Sequence, residues 1–254
     1  MGRLSHAHRH LIVSGGLGTV EEIIASYGPL SWTDFSDLSL LFQDSAGTTP
    51  VTDNAQPIGR ANTRAGSMYF DQSTGAARLT LTTNAINGLS VATGNGTQRL
   101  ISSANASFGA FSVFAVFKDN NSAQAYERIV DHNYTTGWQL MRNNLAAEWG
   151  GGVLDAVAPY GRFVAGNNTA AHIIESCRTG TTHTITLDGT STSGTVSASN
   201  TTSGPINIIG NVISGAQWGV LSVGEVLIFQ KYLTPAQQLF VRTYLADKWA
   251  ITVA

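Results

Sequence analysis

Period-two alternation of apolar and polar residues dominates the chain from about residue 32 onward. The clearest case is THTITLDG, where every second residue from His183 to Leu187 lies on one face and threonines lie on the other. Asp188-Gly189 follows directly, a pair typical of a two-residue hairpin turn. The run FSVFAVF at 111–117 is apolar on both faces, which predicts a central strand buried on both sides.

Further short runs with strand-like composition follow one another along the chain. They are LSLLFQ (38–43), SMYF (67–70), ARLTL (77–81), RIVDH (128–132), GWQLMR (137–142), LAAEW (145–149), HIIESCR (172–178), PINIIG (205–210) and VLSVGEVLIFQ (220–230). The stretch TSTSGTVSASNTTSGP is poor in apolar residues and predicts a hairpin arm with loops. We therefore expect one large all-β domain over residues 31–254, with no repeat of solenoid or propeller length.

Residues 1–30 differ from the rest of the chain. Alternating histidines precede a glycine-rich break, and Thr19 with Glu22 forms a capping-box pattern for a short helix over 20–27, which Gly28 ends. Isolated helices under about 12–15 residues are marginal in water, so we predict that residues 1–30 dock on a neighbouring subunit. The predicted docking residues are His6, His8, His10, Ile23, Ile24 and Tyr27. Three histidines suit zinc or nickel, but no carboxylate lies close in sequence, and we predict no metal site.

The chain closes with a second predicted helix. Thr234 is its N-cap, Pro235 is its first residue, and Gln237 completes a capping box. Its aromatic residues lie on or near one stripe, which predicts that the helix covers one end of a sandwich.

This tail, GVLSVGEVLIFQKYLTPAQQLFVRTYLADKW, resembles the C-terminal segment of bacterial and phage concanavalin A-like (laminin G-like) domains. The matching positions are Glu225, Leu233, Thr234, Gln237, Tyr244, Leu245, Lys248 and Trp249. FSVFAVF resembles an early core strand of that family, and HIIESCRTGTTHTITLDG resembles its paired strands. Over residues 32–252 the resemblance implies a concanavalin A-like two-sheet antiparallel sandwich, or jelly roll. Because the family includes sugar-binding modules, adhesion domains and virion surface proteins, it implies no single function.

Composition narrows the classes of partner. Only 12% of the residues are charged, about half the usual share, and the net charge is −2 without a basic stripe, which argues against nucleic acid. No apolar stretch approaches the roughly 18 residues of a membrane span, and none near the start has the 7–15 apolar residues of a signal peptide. We therefore expect neither membrane insertion nor export by that route. The single cysteine, Cys177, is predicted to be a buried free thiol.

Catalytic patterns are missing from the sequence. Retaining glycosidases need two carboxyl groups about 5–5.5 Å apart, which alternate residues of one strand can supply. None of the six glutamates has an acid two residues away, and Gly-x-Ser-x-Gly and phosphate-loop patterns are lacking. We predict a protein without enzymatic activity or cofactor, although carboxyl groups from different strands could still converge.

The most ligand-like loop is DHNYTTGW at 131–138. Asp131 and Asn133 supply oxygen atoms, and Tyr134 and Trp138 supply flat rings on which a sugar could stack. The alternative is an ordinary hairpin whose aromatic rings pack inward. Calcium would need about 6–8 oxygen ligands, and no loop is dense enough in Asp and Asn to provide them.

These observations predict a non-enzymatic virion structural protein, such as a phage head-decoration, fibre or tail-associated subunit. The predicted partners are other virion proteins, with cell-surface glycans in an adhesion role, and we expect a homo-oligomer or many copies on a particle. The main alternative is a stand-alone carbohydrate-binding, lectin-like module. A glycan-cleaving enzyme is the third hypothesis.

Overall fold

The computed structural model describes residues 11–13, 16–120, 126–132, 137–143, 148–153, 161–166, 169–196, 202–210 and 219–254. The helices and strands of these residues, in chain order, are β1 Leu11–Val13, β2 Gly16–Gly18, α1 Val20–Ser26, β3 Ser31–Asp34, β4 Leu41–Phe42, β5 Pro57–Ile58, β6 Arg60–Ala61, β7 Phe70–Asp71, β8 Leu79–Ile86, β9 Leu89–Thr93, β10 Leu100–Ser102, β11 Phe111–Asp119, β12 Arg128–His132, β13 Trp138–Arg142, β14 Glu148–Val153, β15 Gly161–Ala165, β16 Ala171–Thr179, β17 Thr182–Leu187, β18 Thr190–Thr195, β19 Ile206–Ile208, β20 Leu221–Phe229 and α2 Pro235–Trp249. Short 3₁₀ turns lie at Leu38–Leu40 and Gly75–Ala77.

Two antiparallel sheets form the predicted sandwich. The front sheet has the strand order β15-β14-β13-β12-β19-β10-β7-β6-β4. The back sheet has the order β18-β17-β16-β11-β20-β9-β8-β5, and β3 pairs with β20 beside it. Strands β1 and β2 pair with each other in a separate small hairpin.

Strand β11 shows why the chain folds in layers. Val113, Ala115 and Phe117 point into the core between the two sheets, and Phe114 and Val116 belong to a second apolar cluster with α2. The strand pairs with β16 on one side and β20 on the other, so it is a central strand buried on both faces, as predicted.

Both predicted helices form, with the predicted caps. Thr19 with Glu22 and Thr234 with Gln237 make complete capping boxes, and Pro235 opens α2. Helix α2 lies on the outer face of the back sheet, where its buried residues Val241, Leu245 and Trp249 join the second apolar cluster. No helix in the described ranges is long and apolar enough to span a membrane.

Close packing under α2 depends on one glycine of β20. A side-chain carbon at Gly224 would lie 2.6 Å from the Trp249 ring, which is closer than atoms can approach. Glycine at this position therefore lets the indole lie flat against the sheet and anchors the end of the helix.

The strand prediction for LSLLFQ is partly wrong. Leu38–Leu40 forms a 3₁₀ turn, because the Asp37 side chain accepts a hydrogen bond from the Ser39 backbone N–H at 3.2 Å and caps it. Only Leu41–Phe42 remains as strand. Local side-chain-to-backbone hydrogen bonds of this kind compete with sheet pairing.

The prediction for Cys177 is confirmed. The thiol is free and buried, and burial, together with the negative charge of Glu175, raises the pKa of the thiol to about 12. A thiol with such a pKa is unreactive near neutral pH.

Candidate functional site

The outer faces of the two sheets differ in character. The outer face of the back sheet is apolar and lies under α1 and α2. On the front sheet, Val130, Leu140, Ile206 and Ile208 project into the core, so the residues that alternate with them project outward. Among these outward residues are the polar side chains of Asp131, Gln139 and Asn207, which makes the front face the first place to look for a ligand site.

Three outward side chains lie in register across the middle of the front sheet. Asp131 on β12 is directly opposite Gln139 on β13 and directly opposite Asn207 on β19. Directly opposed residues of antiparallel strands project to the same side, with Cβ atoms about 4.5–5.5 Å apart. We call Asp131, Gln139 and Asn207 the polar row.

The polar row is buried, and two of its members have unused hydrogen-bonding capacity. Asp131 and Asn207 are 0% exposed and Gln139 is 3% exposed. Neither carboxyl oxygen of Asp131 and neither polar side-chain atom of Asn207 has a hydrogen-bond partner in the described part of the chain. A buried polar group left without a partner costs about 1–3 kcal/mol, so a fold retains such groups at a stability cost.

Burial governs the charge of Asp131. It raises the pKa of the carboxyl group to about 7, and the nearby positive charge of Arg128 opposes the shift. The Arg128 Nε atom lies 3.9 Å from Asp131 Oδ2, which is an ion-pair distance and too long for a direct hydrogen bond. The group therefore changes its charge near neutral pH.

A second outward line of residues runs beside the polar row. Arg128 lies opposite Met141, and its guanidinium contacts the Met141 sulfur. Gly150 on β14 is opposite Met141, and Phe163 on β15 is opposite Gly150. Gly152, the partner of Gln139, also has no side chain. The front face thus has buried polar groups, two buried glycines and a half-buried aromatic ring on neighbouring strands.

Only part of the predicted sugar-binding loop can be placed. Asp131 lies in the polar row, but Trp138 projects into the core and is 1% exposed. Its ring stacks on Phe111, with centroids 5.4 Å apart, and meets Phe108 edge-on at the same distance. The prediction of an exposed stacking ring is therefore wrong for Trp138. Asn133 and Tyr134 lie outside the described residues, and their contribution to sugar binding stays a prediction.

The prediction of a docking surface also needs correction where the structure describes it. Ile24 is fully buried in the apolar cluster under α2, and the Tyr27 ring meets Phe240 edge-on at 6.2 Å. The apolar residues of helix α1 are thus covered by the same chain and not by a partner, and Ile24 is unavailable for docking. Ile23 remains half-buried. His6, His8 and His10 lie outside the described residues.

A carboxylate pair does converge from distant strands, as the sequence left open. Asp34 on β3 is directly opposite Glu225 on β20, and both are 0% exposed. Lys248 Nζ lies 2.7 Å from Asp34 Oδ2 and 2.7 Å from Glu225 Oε2, so one ammonium group bridges the two acids.

Aromatic donors complete the coordination of Glu225. The Trp32 and Trp249 indole N–H groups donate to its two oxygens at 2.6 and 2.8 Å, and the Tyr244 hydroxyl donates to Oε1 at 3.1 Å. Burial and the charge of Asp34 raise the pKa of Glu225. Burial opposes ionisation of Asp34, but Lys248 holds its pKa below the ordinary value. We call these residues with Asp34 and Lys248 the helix clamp, because they tie α2 to the back sheet.

The helix clamp has structural and not catalytic geometry. Both carboxyl groups are buried and hydrogen-bonded, so neither can reach a substrate or a water molecule. No group of three or more histidine, cysteine or acidic side chains in the described ranges is placed to hold a metal ion.

Comparison with solved structures establishes the fold, whereas comparison of sequences finds nothing: no protein family model and no curated protein sequence matches the chain. Among solved structures, the ligand-binding domain of botulinum neurotoxin serotype D in complex with N-acetylneuraminic acid superposes with a TM-score of 0.54 at 12% identity, covering 89% of this chain and 52% of that one. A botulinum neurotoxin type C structure on cell entry through two ganglioside molecules gives 0.52 at 12% identity, covering 74% and 51%. A serotype D binding domain gives 0.50 at 15% identity, covering 69% and 49%.

The chain spans about half the length of these structures. At 12–15% identity the likeness concerns the arrangement of strands and not the side chains of any site. The chain therefore has the lectin-like β-sandwich fold that these binding domains contain.

Proposed function

We propose that this chain is a non-enzymatic glycan-binding module and that the polar row on the front sheet is its saccharide site. One observation supports this above the others. Asp131 and Asn207 lie side by side on the outward side of the front sheet of a lectin-like sandwich, and neither side chain has a hydrogen-bond partner among the described residues.

The chemistry of this pair suits sugar hydroxyl groups. A carboxylate accepts hydrogen bonds from two hydroxyls, and an amide both donates and accepts. Two such groups on neighbouring strands can hold adjacent hydroxyls of one sugar ring. Beside them, the half-buried side chains of Met141 and Phe163 offer apolar surface for the C–H face of the ring.

Binding at this site requires the polar row to become accessible. Asp131 and Asn207 are fully buried in the structure, so a sugar reaches them only if their surroundings rearrange. We expect association to be slower than the 10⁵–10⁷ M⁻¹s⁻¹ typical of preformed protein surfaces. The neurotoxin domains of the same fold, in complex with N-acetylneuraminic acid or acting through gangliosides, support this class of ligand.

A glycan array tests the proposal directly. The wild-type protein should give reproducible hits, and Asp131→Asn and Asn207→Asp, which preserve side-chain shape, should each weaken them at least about tenfold, because hydrogen bonds to charged groups contribute about 1.5–3 kcal/mol. Asp53→Asn, an identical change at an exposed loop position, is the matched control and should bind like wild type. Hits that persist unchanged in both polar-row variants would show that the sugar binds elsewhere on the protein. An array without hits for the wild-type protein would reject glycan binding.

We further propose, from the composition and the resemblance alone, that the module is displayed on a virion in many copies. Its low charge and its wealth of Ser, Thr, Asn and Gly support this placement. Mass spectrometry of purified particles from a lysate should find the chain at stoichiometric amounts. Its absence from the particles would reject the virion role and leave a stand-alone lectin-like module.

A further inference from the structure

A cleft of about 510 Å³ opens at one end of the back sheet, on the side of the sandwich opposite the polar row. Its lining includes Asn87, Lys118, His172, Asp188, Trp249 and Ile251. We call it the hairpin cleft, because the turns of two hairpins form its walls together with the chain that follows α2. Its volume is in the range of small-ligand sites, about 300–1,000 Å³.

Both hairpin turns are two-residue turns held in place by contacts to the C-terminal region. Asn87, between β8 and β9, has φ of 49° and donates its side-chain amide to the Lys248 carbonyl at 3.0 Å. Asp188, between β17 and β18, has φ of 48° and accepts a hydrogen bond from the Ala254 backbone N–H at 2.8 Å. These left-handed conformations are typical of Asn-Gly and Asp-Gly turns, so the walls are rigid.

Lys118 brings an ammonium group to the lining of the cleft. It lies at the end of β11 on the helix-covered side, beside Ala171, and is half-buried without an ion-pair partner among the described residues. Asp188, which also lines the cleft, forms no ion pair with Lys118 among the described residues, because its two oxygens accept hydrogen bonds from other groups. One lies 2.6 Å from His172 Nδ1, and the other accepts the Ile173 backbone N–H at 2.8 Å.

The rest of the lining combines apolar and polar groups. Ala171 and Ile251 supply apolar surface, and Thr169 and Thr252 supply hydroxyl groups. A ligand that matches this cleft has one anionic group for Lys118, a compact ring with an apolar face and several hydroxyls. A carboxylate-bearing sugar has all three features.

We propose that the hairpin cleft binds the acidic unit of a glycan, with Lys118 pairing with the sugar carboxylate. The proposal rests on the proposed function for its class of ligand, a saccharide, and adds a second site on the opposite sheet. An ammonium–carboxylate hydrogen bond in a half-buried cleft is strong enough to select acidic from neutral sugars.

Glucuronate and glucose differ by this carboxylate and are the probes. Amide chemical shifts of the full chain, followed by NMR during titration, should show saturable changes at Lys118, Ala171 and Asn87 with glucuronate, and glucose should bind at least about tenfold more weakly. Lys118→Gln should abolish the preference, and Lys231→Gln, an identical change at an exposed lysine, should preserve it. Acetate that binds as tightly as glucuronate would show that the ring adds nothing and would overturn a sugar site.

The two proposals fail separately. Asp131→Asn on the front sheet should not change glucuronate binding at the hairpin cleft, because the two sites lie on opposite faces. If glucuronate shifts no cleft resonance, or Lys118→Gln binds it like wild type, the cleft proposal is wrong. Array hits that depend on Asp131 and Asn207 would still support the polar row.

Discussion

Asp131 is the residue whose protonation couples the front face to pH. Burial raises its pKa to about 7, whereas an unfolded aspartate titrates near about 3.9. The folded state therefore binds this proton more tightly than the unfolded state does. The contribution to stability is complete below about pH 4 and is lost as the pH rises through about 7.

Asp131→Asn removes this pH dependence. At pH 8 we expect the free energy of unfolding of the variant to be about 4 kcal/mol higher than that of wild type, because the buried charge no longer forms, and at pH 4 we expect little difference. Urea denaturation at several pH values measures this, with Asp53→Asn as the matched control. A variant that loses stability with pH as steeply as wild type would show that Asp131 does not titrate as inferred. If Asp131→Asn is more stable than wild type but binds sugar more weakly, Asp131 serves binding at a cost in stability.

At the scale of elements, the helix clamp decides whether α2 stays docked. Lys248→Met leaves the buried Glu225 without a cation, whereas Asp34 keeps Arg64 at 2.8 Å, and breaking a buried ion pair typically costs about 3–5 kcal/mol. Thermal or urea unfolding should show this loss. Adding Glu225→Gln should restore a large part of it, since one uncompensated charge is then removed. If the free energy of unfolding of Lys248→Met alone lies within about 1 kcal/mol of wild type, the helix clamp contributes little to stability.

The two parts of the N-terminal segment should behave differently on truncation. Deleting residues 1–18 leaves α1 and Ile24 in place, and we expect the melting temperature to change by no more than about 2 °C. Deleting residues 1–30 removes Ile24 from the cluster under α2 and should lower stability by about 2–5 kcal/mol. Equal melting temperatures for the two truncations would show that α1 is not docked on the sandwich. Docking by His6, His8 and His10 stays a prediction, and particle incorporation of the shorter truncation tests it.

Local signals in the sequence were sufficient for several elements. Caps and a proline define α2, an Asp-Gly pair defines the β17–β18 turn, and a doubly apolar run defines β11. The same alternation places Trp138 with Leu140 on the core side of β13, opposite to Gln139, and could have excluded Trp138 as a surface ring.

Pairings between strands that are distant in the chain could not be predicted from the sequence. Asp34 meets Glu225, and Asp131 meets Asn207, only through the register of strands far apart in the chain. A single sequence carries no record of such register. Asn207, in the apolar run PINIIG, gave no signal of a site because nothing nearby marks it as polar-facing.

At the scale of the whole molecule, the two outer faces of the sandwich have different roles. The back sheet is closed by α1 and α2 and tied by the helix clamp, so its outer face provides stability. The front sheet keeps the side chains of Asp131 and Asn207 buried without hydrogen-bond partners in the described part of the chain, which costs stability. Such an asymmetry is expected where the helix-covered part of the back sheet holds the fold together and the front sheet binds a ligand, with the hairpin cleft as a second site at the end of the back sheet.

The side-chain amide of Asn207 offers the most direct test of sugar binding on the front face. Its NH₂ resonances can be assigned by comparison with Asn207→Asp and followed while a glycan identified on the array is added. We predict that they shift and saturate with the same dissociation constant as the array ligand, and that Asp131→Asn abolishes the shift. A glycan that binds the wild-type protein tightly and leaves the Asn207 amide unchanged would contradict the account.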